Sequence, residues 1–382
     1  MSSQERQALM GRVRSVVVKL GTNVLANERG LLDEAQIVRI IDQVVAIQLK
    51  HDVRVTVVSS GAIAAGMGDL ALAERPDSLP ELQACAAVGQ AKLMMMFDEA
   101  LKRHGRHAAQ ILLVRSDIED RARYLNISHC ITALQEYGAV PIINENDTVS
   151  VDEIRFGEND LLAAMVTNLL KAELLVLLTT VDGVFRDKAR KDRFDIVADM
   201  TDVKAAADDT RSSLGSGGMP TKLLAAESVV KAGEMAVIAN GRLPNILLDL
   251  LAGEPVGTLF VPAARRTDAP AAAHRMTAKQ RWIGLTRRPR GTIAVDAGAA
   301  KALQARKSLL ASGITGVEGE FVFGDVVAIV DPAGTVIAQG QTNYSSEDIS
   351  KIKGLRTSEF AKALGDKTYD EVIHASNLVL NI

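Results

Sequence analysis

Two lysines and a glycine cluster give the first indication of chemistry in this chain. Lys19 ends a run of valines, VRSVVVK, that predicts a buried strand. A charge there is costly unless an anion or a path to solvent accommodates it. The second lysine ends the cluster GSGGMPTK (215–222), which precedes a helix-like segment. Glycines before a helix leave backbone N–H groups able to bind an anion, and the helix dipole favours negative charge there.

Each feature has an ordinary alternative, namely a lysine that reaches solvent and a surface loop capped by Thr221. The cluster is not a Walker A loop, because the chain lacks G-x-x-x-x-G-K-[ST]. It is not a dinucleotide fingerprint either, because the turn after Lys19 contains one glycine, Gly21. Taken together, the features indicate a phosphate site.

Carboxylates and amides follow another predicted strand. The stretch from Asn144 to Asp160 is rich in acidic and amide side chains, among them Asn146, Asp147, Glu158 and Asn159. A solvated loop is the plain alternative, since Asn and Asp favour turns. An aspartate beside two lysines would orient them and balance their charge. Two lysines, a glycine cluster and an aspartate therefore indicate phosphoryl transfer, which depends mainly on positioning and charge stabilisation.

The elements around these residues alternate between apolar strands and helices. The strands are predicted at 13–19, 53–59, 108–114, 139–143, 173–179 and 235–239. The helices are predicted at 34–49, 82–104, 122–137, 161–170 and 221–232. This order predicts an α/β fold with a mostly parallel sheet sandwiched by helices. Ligands bind beyond the carboxyl ends of such strands, where the polar clusters fall.

The chain changes character near residue 263. We predict a first domain over 1–262, a linker rich in Ala, Pro and Arg over 263–280, and a small mainly-β domain over 281–382. Short strands are predicted around 291–295, 321–330 and 336–339, separated by Gly and Asp-Pro turns.

Composition narrows the class of protein. A net charge of -3 argues against a mainly nucleic-acid-binding or membrane-surface protein. The chain has no apolar run of about 18 or more residues and no secretory N-terminus, so we expect a cytoplasmic location. Cys85 and Cys130 lie in apolar, helix-like stretches, which predicts two buried thiols rather than a disulfide or a zinc site.

Several stretches resemble the amino-acid kinase family. They are VVVKLGTNVL (16–25), VVSSGAIAAG (57–66), AAVGQAKLM (86–94), LLVRSDIEDRARYLN (112–126), VPIINENDTVSVDEIRFGENDLLAA (140–164), LLTTVDGVF (177–185), GSGGMPTKLLAA (215–226) and VGTLF (256–260). The NEND, FGEND and SGAIAAG blocks resemble the members that phosphorylate glutamate rather than acetylglutamate, carbamate, aspartate or UMP.

This resemblance implies roles for particular residues. Lys19 and Lys222 would stabilise the transferring phosphoryl group, and Asp160 would organise the two lysines. The implied glutamate-binding residues are Ser60, Gly61, Asp147 and Asn159. The implied ATP-contacting residues are Lys19, Gly21, Thr179, Thr180, Ser216, Gly217, Gly218, Met219, Pro220, Thr221 and Lys222. Two positions depart from the family pattern: Thr180 stands where many relatives have Asp, and Pro220 stands where Ser is common. The first change leaves nucleotide preference open, and proline is acceptable near a helix start.

The family reaction is attack of the glutamate γ-carboxylate on the γ-phosphorus of ATP, which gives glutamyl 5-phosphate and ADP. No general base is needed, because a carboxylate is already ionised at pH 7. Mg²⁺ would accompany the ATP phosphates. The resemblance also implies the first step of proline synthesis, feedback inhibition by proline, and a homo-oligomer, either a dimer or a tetramer.

Residues 291–368 resemble a PUA domain through TIAVDAGAAKAL (292–303), SLLASGITGVEGEFVFGDVVAIVD (308–331) and IAQGQTNYSSEDI (337–349). PUA domains elsewhere often bind RNA. Residues 281–382 contain 12 Lys and Arg against 11 Asp and Glu, a difference of only +1. RNA contact without a basic patch would be weak, so we expect a structural or regulatory role.

Two other functions remain open at this point. One is a kinase for another acidic amino acid, which substrate-dependent ADP release would distinguish. The other is an RNA-binding regulator that retains a kinase-like domain. Lys19, Asp160 and Lys222 argue against a regulator, and RNA binding at two salt concentrations would test it.

Overall fold

The computed structural model describes residues 3–27, 30–150, 159–187, 189–203, 218–266, 275–365 and 368–380. The chain forms two compact units, Met1–Arg275 and Met276–Ile382. The division between them falls inside the segment predicted as a linker.

The described part of the first unit contains an eight-stranded sheet. Its strands are β1 Ser15–Leu20, β2 Arg54–Ser59, β3 Ala108–Leu113, β4 Val140–Glu145, β5 Leu174–Thr179, β6 Ile196–Val197, β7 Met235–Asn240 and β8 Thr258–Phe260. They are ordered β3-β4-β2-β1-β5-β7-β8-β6. The pairs from β3 to β7 are parallel, β7 pairs with β8 antiparallel, and β8 pairs with β6 parallel. The predicted mostly parallel α/β fold is confirmed.

Helices of the first unit connect and cover these strands. They are α1 Ser3–Met10, α2 Thr22–Leu25, α3 Glu34–His51, α4 Ala62–Asp69, α5 Leu79–Lys102, α6 Arg115–Glu119, α7 Arg121–Glu136, α8 Asn159–Leu170, α9 Met219–Lys231 and α10 Ile246–Ala252, with a 3₁₀ turn at Ala263–Arg265. Local sequence explains where they begin. The Asp33 side chain accepts from the Gln36 N–H at the start of α3, and the Ser78 hydroxyl accepts from the Glu81 N–H at the start of α5.

The α4–α5 contact depends on two glycines. A Cβ atom on Gly66 would lie 1.8 Å from the Cys85 carbonyl oxygen. A Cβ atom on Gly89 would lie 1.9 Å from the Ala62 carbonyl oxygen. Both distances are impossible for real atoms, so glycine is required for the two helix backbones to approach this closely.

One prediction for the first unit is wrong. Cys85 is buried as expected, but Cys130 is exposed. Cys130 lies on α7, which buries Tyr124 and Ile131 against the rest of the unit. Its own position faces solvent, which the apolar neighbours in the sequence did not reveal.

The second unit contains a five-stranded sheet in its described residues. Its strands are β9 Thr292–Val295, β10 Ile314–Glu318, β11 Val326–Val330, β12 Val336–Gln341 and β13 Leu378–Leu380, in the order β10-β9-β11-β12-β13. Its helices are α11 Ala278–Arg281, a π-helical turn Trp282–Thr286, α12 Ala297–Gln304, α13 Ser346–Ile352 and α14 Phe360–Leu364, with 3₁₀ turns at Ala311–Gly313, Thr357–Glu359 and Ala375–Asn377.

The predicted small mainly-β unit is thus confirmed as a separate sheet with its own core, which includes Ile293, Ile329 and Phe360. The strand predicted around 321–330 starts later, at Val326, because a turn with Gly324 at φ +86° precedes it. Strands β10 and β13 were not predicted. Among the described residues of the whole chain, no helix has the length and apolar character to cross a membrane.

Candidate active site

The carboxyl edge of the parallel strands gathers most of the predicted site residues. Lys19 pairs with Val58 of β2 and Leu177 of β5, so these three strands end at nearly the same level. Gly21, Ser60 and Thr180 directly follow them. Asn159 and Asp160 are the first two residues of helix α8.

Asp160 lies between the two predicted lysines. Its Oδ1 is 2.8 Å from Lys19 Nζ, and its Oδ2 is 3.0 Å from Lys222 Nζ. The Thr221 hydroxyl also donates to Asp160 Oδ2, at 3.1 Å. The Asp160 side chain is 1% exposed, and both lysine side chains are buried. One carboxylate therefore holds two ammonium groups that are far apart in the sequence.

The three charged groups sum to +1, which suits an anionic ligand. Burial lowers the pKa of Lys19, with a further lowering by Lys222, while the charge and hydrogen bond of Asp160 oppose the shift. A dense negative charge beside Lys19 would favour its protonated form. A phosphate group has the charge and the acceptor oxygens that this arrangement lacks.

The start of α9 lies beside this group. Gly218 is the N-cap residue, Met219 is the first helical residue, and Pro220 follows in the first turn. The Thr221 hydroxyl donates to the Gly218 carbonyl oxygen at 2.9 Å as well as to Asp160. Since Lys222 and Thr221 both contact Asp160, the helix N-terminus and the lysine pair form one continuous site. Ser216, Gly217 and Glu158 lie outside the described residues.

A second group of polar side chains lies beside Asp160. Asn159 Nδ2 donates to the Ser60 hydroxyl oxygen at 2.9 Å and to Asn144 Oδ1 at 3.2 Å. Ser60 is buried and directly precedes Gly61, which has φ +106° and caps α4. That backbone conformation favours glycine, because a Cβ atom would be strained there. The turn therefore holds Ser60 at the sheet edge next to Asn159.

Asp147 is half-buried in the loop after β4. Burial raises its pKa to about 6, and the positive charge of Arg75 opposes the shift. In the described part of the chain, no hydrogen bond or ion pair joins Asp147 to Ser60, Asn159 or Asp160. Its raised pKa marks a carboxylate that an added positive charge would stabilise.

Three residues predicted to contact the nucleotide lie at strand ends. Gly21 caps α2, and a Cβ atom there would lie 3.6 Å from Lys19 Nζ. Thr179 ends β5, and its carbonyl oxygen accepts from the Gly241 N–H at 2.8 Å. Thr180 is exposed beyond it. All three share the carboxyl edge with the lysines.

Gln90 belongs to the stretch AAVGQAKLM (86–94), but no role was predicted for it. Gln90 lies on α5, and its Oε1 accepts from Asn144 Nδ2 at 2.8 Å. The role of Thr221 toward Asp160 was also missed. An amide that directly follows a glycine within an apolar, helix-like stretch, as in VGQ, is the sequence feature that could have pointed to Gln90.

Comparisons with known proteins show which families the chain matches. The amino acid kinase family matches residues 14–240, and the PUA domain matches residues 291–364. Glutamate 5-kinase from Carboxydothermus hydrogenoformans is 45% identical over 380 residues, covering 97% of this chain and 99% of that protein. Glutamate 5-kinase from Syntrophus aciditrophicus is 41% identical over 384 residues, covering 99% and 97%.

Solved structures are more distant. Carbamate kinase from Giardia lamblia bound to AMP-PNP is 18% identical with a TM-score of 0.49, covering 66% of this chain and 99% of that chain. UMP kinase from Bacillus anthracis is 16% identical with a TM-score of 0.45, covering 65% and 96%.

The fold and the family matches show that this chain is a kinase of the amino acid kinase family with a PUA domain. The near full-length relatives place it among the glutamate 5-kinases of that family.

Proposed function

We propose that the chain transfers the γ-phosphoryl group of ATP to the side-chain carboxylate of L-glutamate, giving glutamyl 5-phosphate and ADP. The observation that carries this proposal is the buried Asp160 held between Lys19 and Lys222, directly beside the Asn159–Ser60 pair. The first group suits a phosphoryl group in transfer, and the second suits the polar end of an amino acid.

The reaction needs a nucleophile, charge stabilisation and a leaving group. A glutamate carboxylate oxygen attacks the γ-phosphorus and forms the new oxygen–phosphorus bond. The bond between the γ-phosphorus and the β–γ bridging oxygen breaks, and ADP leaves with the electron pair of that bond. Lys19 and Lys222 stabilise negative charge on the transferring group. Asp160 lies between the two ammonium groups and would hold both beside the transferring phosphoryl group.

The nucleotide would lie along the edge from Gly21 to the start of α9. The helix N-terminus at Gly218 to Thr221 supplies backbone N–H groups and a favourable dipole for phosphates. Thr179 and Thr180 would contact the rest of the nucleotide, and we extend the same role to Ser216 and Gly217. Ammonium groups and a helix terminus fit a triphosphate, so Mg²⁺ would be held mainly by the phosphates and waters. When bound, it neutralises charge on the β- and γ-phosphate oxygens.

Glutamate would be held by its α-amino and α-carboxyl groups. The Ser60 hydroxyl and the backbone around Gly61 would bind the carboxylate, and Asn159 and Asp147 would bind the ammonium group. The raised pKa of Asp147 supports this assignment, because a substrate cation beside it would return the carboxylate to its ionised form.

The family resemblance of the sequence also implies a wider setting. Glutamyl 5-phosphate would enter proline synthesis, and proline would inhibit the enzyme by feedback. We propose a kinase domain at 1–262, a linker at 263–280 and a PUA-like domain at 281–382 in a homo-oligomer. The near-zero charge of the last domain favours a structural or regulatory role over RNA binding.

The test is ADP production by the purified protein with Mg-ATP and glutamate, aspartate or N-acetylglutamate, with hydroxylamine present to trap an acyl phosphate. Hydroxamate formed only with glutamate supports the proposal, and added proline then tests feedback inhibition. Folded protein that binds ATP but turns over none of the three substrates would overturn the proposal. RNA filter binding at two salt concentrations would then test the regulator hypothesis.

A further inference from the structure

A chain of side-chain hydrogen bonds runs from α5 into the candidate substrate site. Gln90 Oε1 accepts from Asn144 Nδ2 at 2.8 Å. Asn144 Oδ1 accepts from Asn159 Nδ2 at 3.2 Å, and Asn159 Nδ2 also donates to the Ser60 hydroxyl oxygen at 2.9 Å. Among the described residues, Asn144 thus links Gln90 to the predicted glutamate-binding residues.

One backbone group determines which way each amide in this chain points. The Glu145 N–H donates to Asn144 Oδ1 at 2.9 Å in buried surroundings. An N–H group can only donate, so the oxygen of Asn144 must face it and the NH₂ group of Asn144 must face Gln90. Gln90 then has to present its oxygen, because two NH₂ groups cannot hydrogen-bond to each other, and its own Nε2 is buried without a hydrogen-bond partner among the described residues.

The Asn144 oxygen also determines the orientation of the Asn159 side-chain amide. Its NH₂ group faces Asn144 Oδ1 and the Ser60 oxygen, so its own oxygen points away from both. Asn159 Oδ1 is buried and has no hydrogen-bond partner among the described residues. Buried polar atoms are normally paired, so an unpaired acceptor at this position is suited to a donor that arrives with the ligand. The α-ammonium group of an amino acid is such a donor.

The scaffold behind Gln90 is rigid. The neighbouring Gly89 lets α5 touch the Ala62 backbone at the start of α4, where a Cβ atom would lie 1.9 Å from the Ala62 carbonyl oxygen. Helix α4 begins at Gly61, one residue after Ser60. Close backbone packing therefore holds Gln90 at a set position relative to Ser60.

We propose that Gln90 is a positioning residue that, through Asn144, keeps Asn159 Oδ1 turned toward the substrate as the acceptor for its α-ammonium group. This inference rests on the proposed function, because it assumes that glutamate occupies the site. It adds that recognition of the ammonium group, rather than of either carboxylate, depends on a glutamine that does not touch the substrate.

The test compares Gln90→Met with Gln135→Met. Methionine has a similar length, but its thioether sulfur is only a weak acceptor for the Asn144 NH₂ group. Gln135 makes a matched control because it too forms a side-chain hydrogen bond from a helix, in this case with its Nε2 donating to the Thr56 hydroxyl at 3.0 Å, away from the site. Thermal unfolding of both variants checks that each is folded. Steady-state kinetics then give the KM of glutamate, the KM of ATP and the inhibition constant of glutarate, which is glutamate without its amino group.

In Gln90→Met we expect the glutamate KM to rise roughly 10- to 100-fold, the range for losing a hydrogen bond to a charged group. The KM of ATP and the glutarate inhibition constant should stay within about twofold of the wild type, since neither ligand uses the ammonium contact. Gln90→Glu keeps an acceptor oxygen and should restore most of the glutamate KM. Gln135→Met should leave all three constants unchanged.

The outcomes separate this inference from the proposed function. A wild-type protein that does not phosphorylate glutamate refutes the function. An active wild type with an unchanged glutamate KM in Gln90→Met refutes the positioning role. Equal losses for glutamate and glutarate, or no recovery in Gln90→Glu, would show general disruption of the site and would also refute it.

Discussion

Replacing Asp160 with Asn removes the one carboxylate that Lys19 and Lys222 share. Asn keeps the size and one acceptor oxygen, but it carries no charge and its NH₂ group would face an ammonium group. The Asp160 side chain is 1% exposed, so water cannot replace the lost charge. Two buried ammonium groups would then lie close together without the negative charge of Asp160 between them.

Removing one partner of a buried ion pair costs about 3–5 kcal/mol. At about 2–4 °C per kcal/mol for a unit of this size, the melting temperature of the first unit should fall by roughly 6–20 °C. Calorimetry or urea unfolding at pH 7 measures this change. The control is Asp69→Asn, because Asp69 pairs with Lys92 with both side chains more than a third exposed. Loss of such a surface pair should cost less than about 1 kcal/mol.

The pH dependence gives a second check. Burial already holds the pKa of Lys19 below its ordinary value, and loss of Asp160 would lower it further. The unfolded chain then binds more protons than the folded chain between the two pKa values, so stability rises with pH there. We expect the stability of Asp160→Asn to recover above pH 7 more than that of the wild type. A loss at pH 7 no larger than that of Asp69→Asn, without such recovery, would refute the reasoning.

Three further predictions concern catalysis and packing. Lys222→Ala should lower kcat roughly 10²–10³-fold with little change in the glutamate KM, because its charge acts mainly in the transition state; an unchanged kcat in steady-state assays would reject that role. Asp147 has a pKa of about 6 and must be ionised to attract the substrate ammonium group, so kcat/KM for glutamate should fall about tenfold from pH 7 to pH 5. Asp147→Ala should weaken glutamate binding and remove this dependence of kcat/KM on pH. A wild-type profile without an inflection near pH 6, or unaltered glutamate affinity in Asp147→Ala, would place Asp147 outside the site. Gly89→Ala should destabilise the chain by about 1–3 kcal/mol and raise the glutamate KM, because the added methyl group would displace α4. Gly68→Ala is the control and should have neither effect, because its methyl group would meet only the Leu31 side chain. Equal urea midpoints for the two variants would contradict this prediction.

Local sequence was sufficient for the main strands and helices of the first unit. The predicted strand at 13–19 is observed at Ser15–Leu20, and the predicted helix at 34–49 is observed at Glu34–His51. The spacing of apolar residues along the sequence distinguishes a helix from a strand, so these elements can be predicted without knowing which elements pack against them. Short elements such as β6 and α10 were missed, because a few residues carry too little periodicity.

The candidate site was only partly readable from the sequence. Lys19 was identifiable because a charge at the end of a buried strand needs an explanation. Gln90 was not, because an amide on a helix is ordinary until the neighbouring helix and strand are in place. The predicted burial of Cys130 was wrong for the same reason, because the side of α7 that faces solvent depends on which elements pack against the helix.

The alternating elements, the polar residues that follow each strand and the family resemblance could all be predicted from the amino-acid sequence. Each of these depends on neighbours along the chain or on short motifs. Tertiary packing is what brings Asp160 between Lys19 and Lys222 and leaves the buried Asn159 Oδ1 without a hydrogen-bond partner among the described residues. Those facts depend on strand order and on the close packing of α4 against α5. Both bring together groups that are distant in sequence, where no local pattern records which partner each will meet.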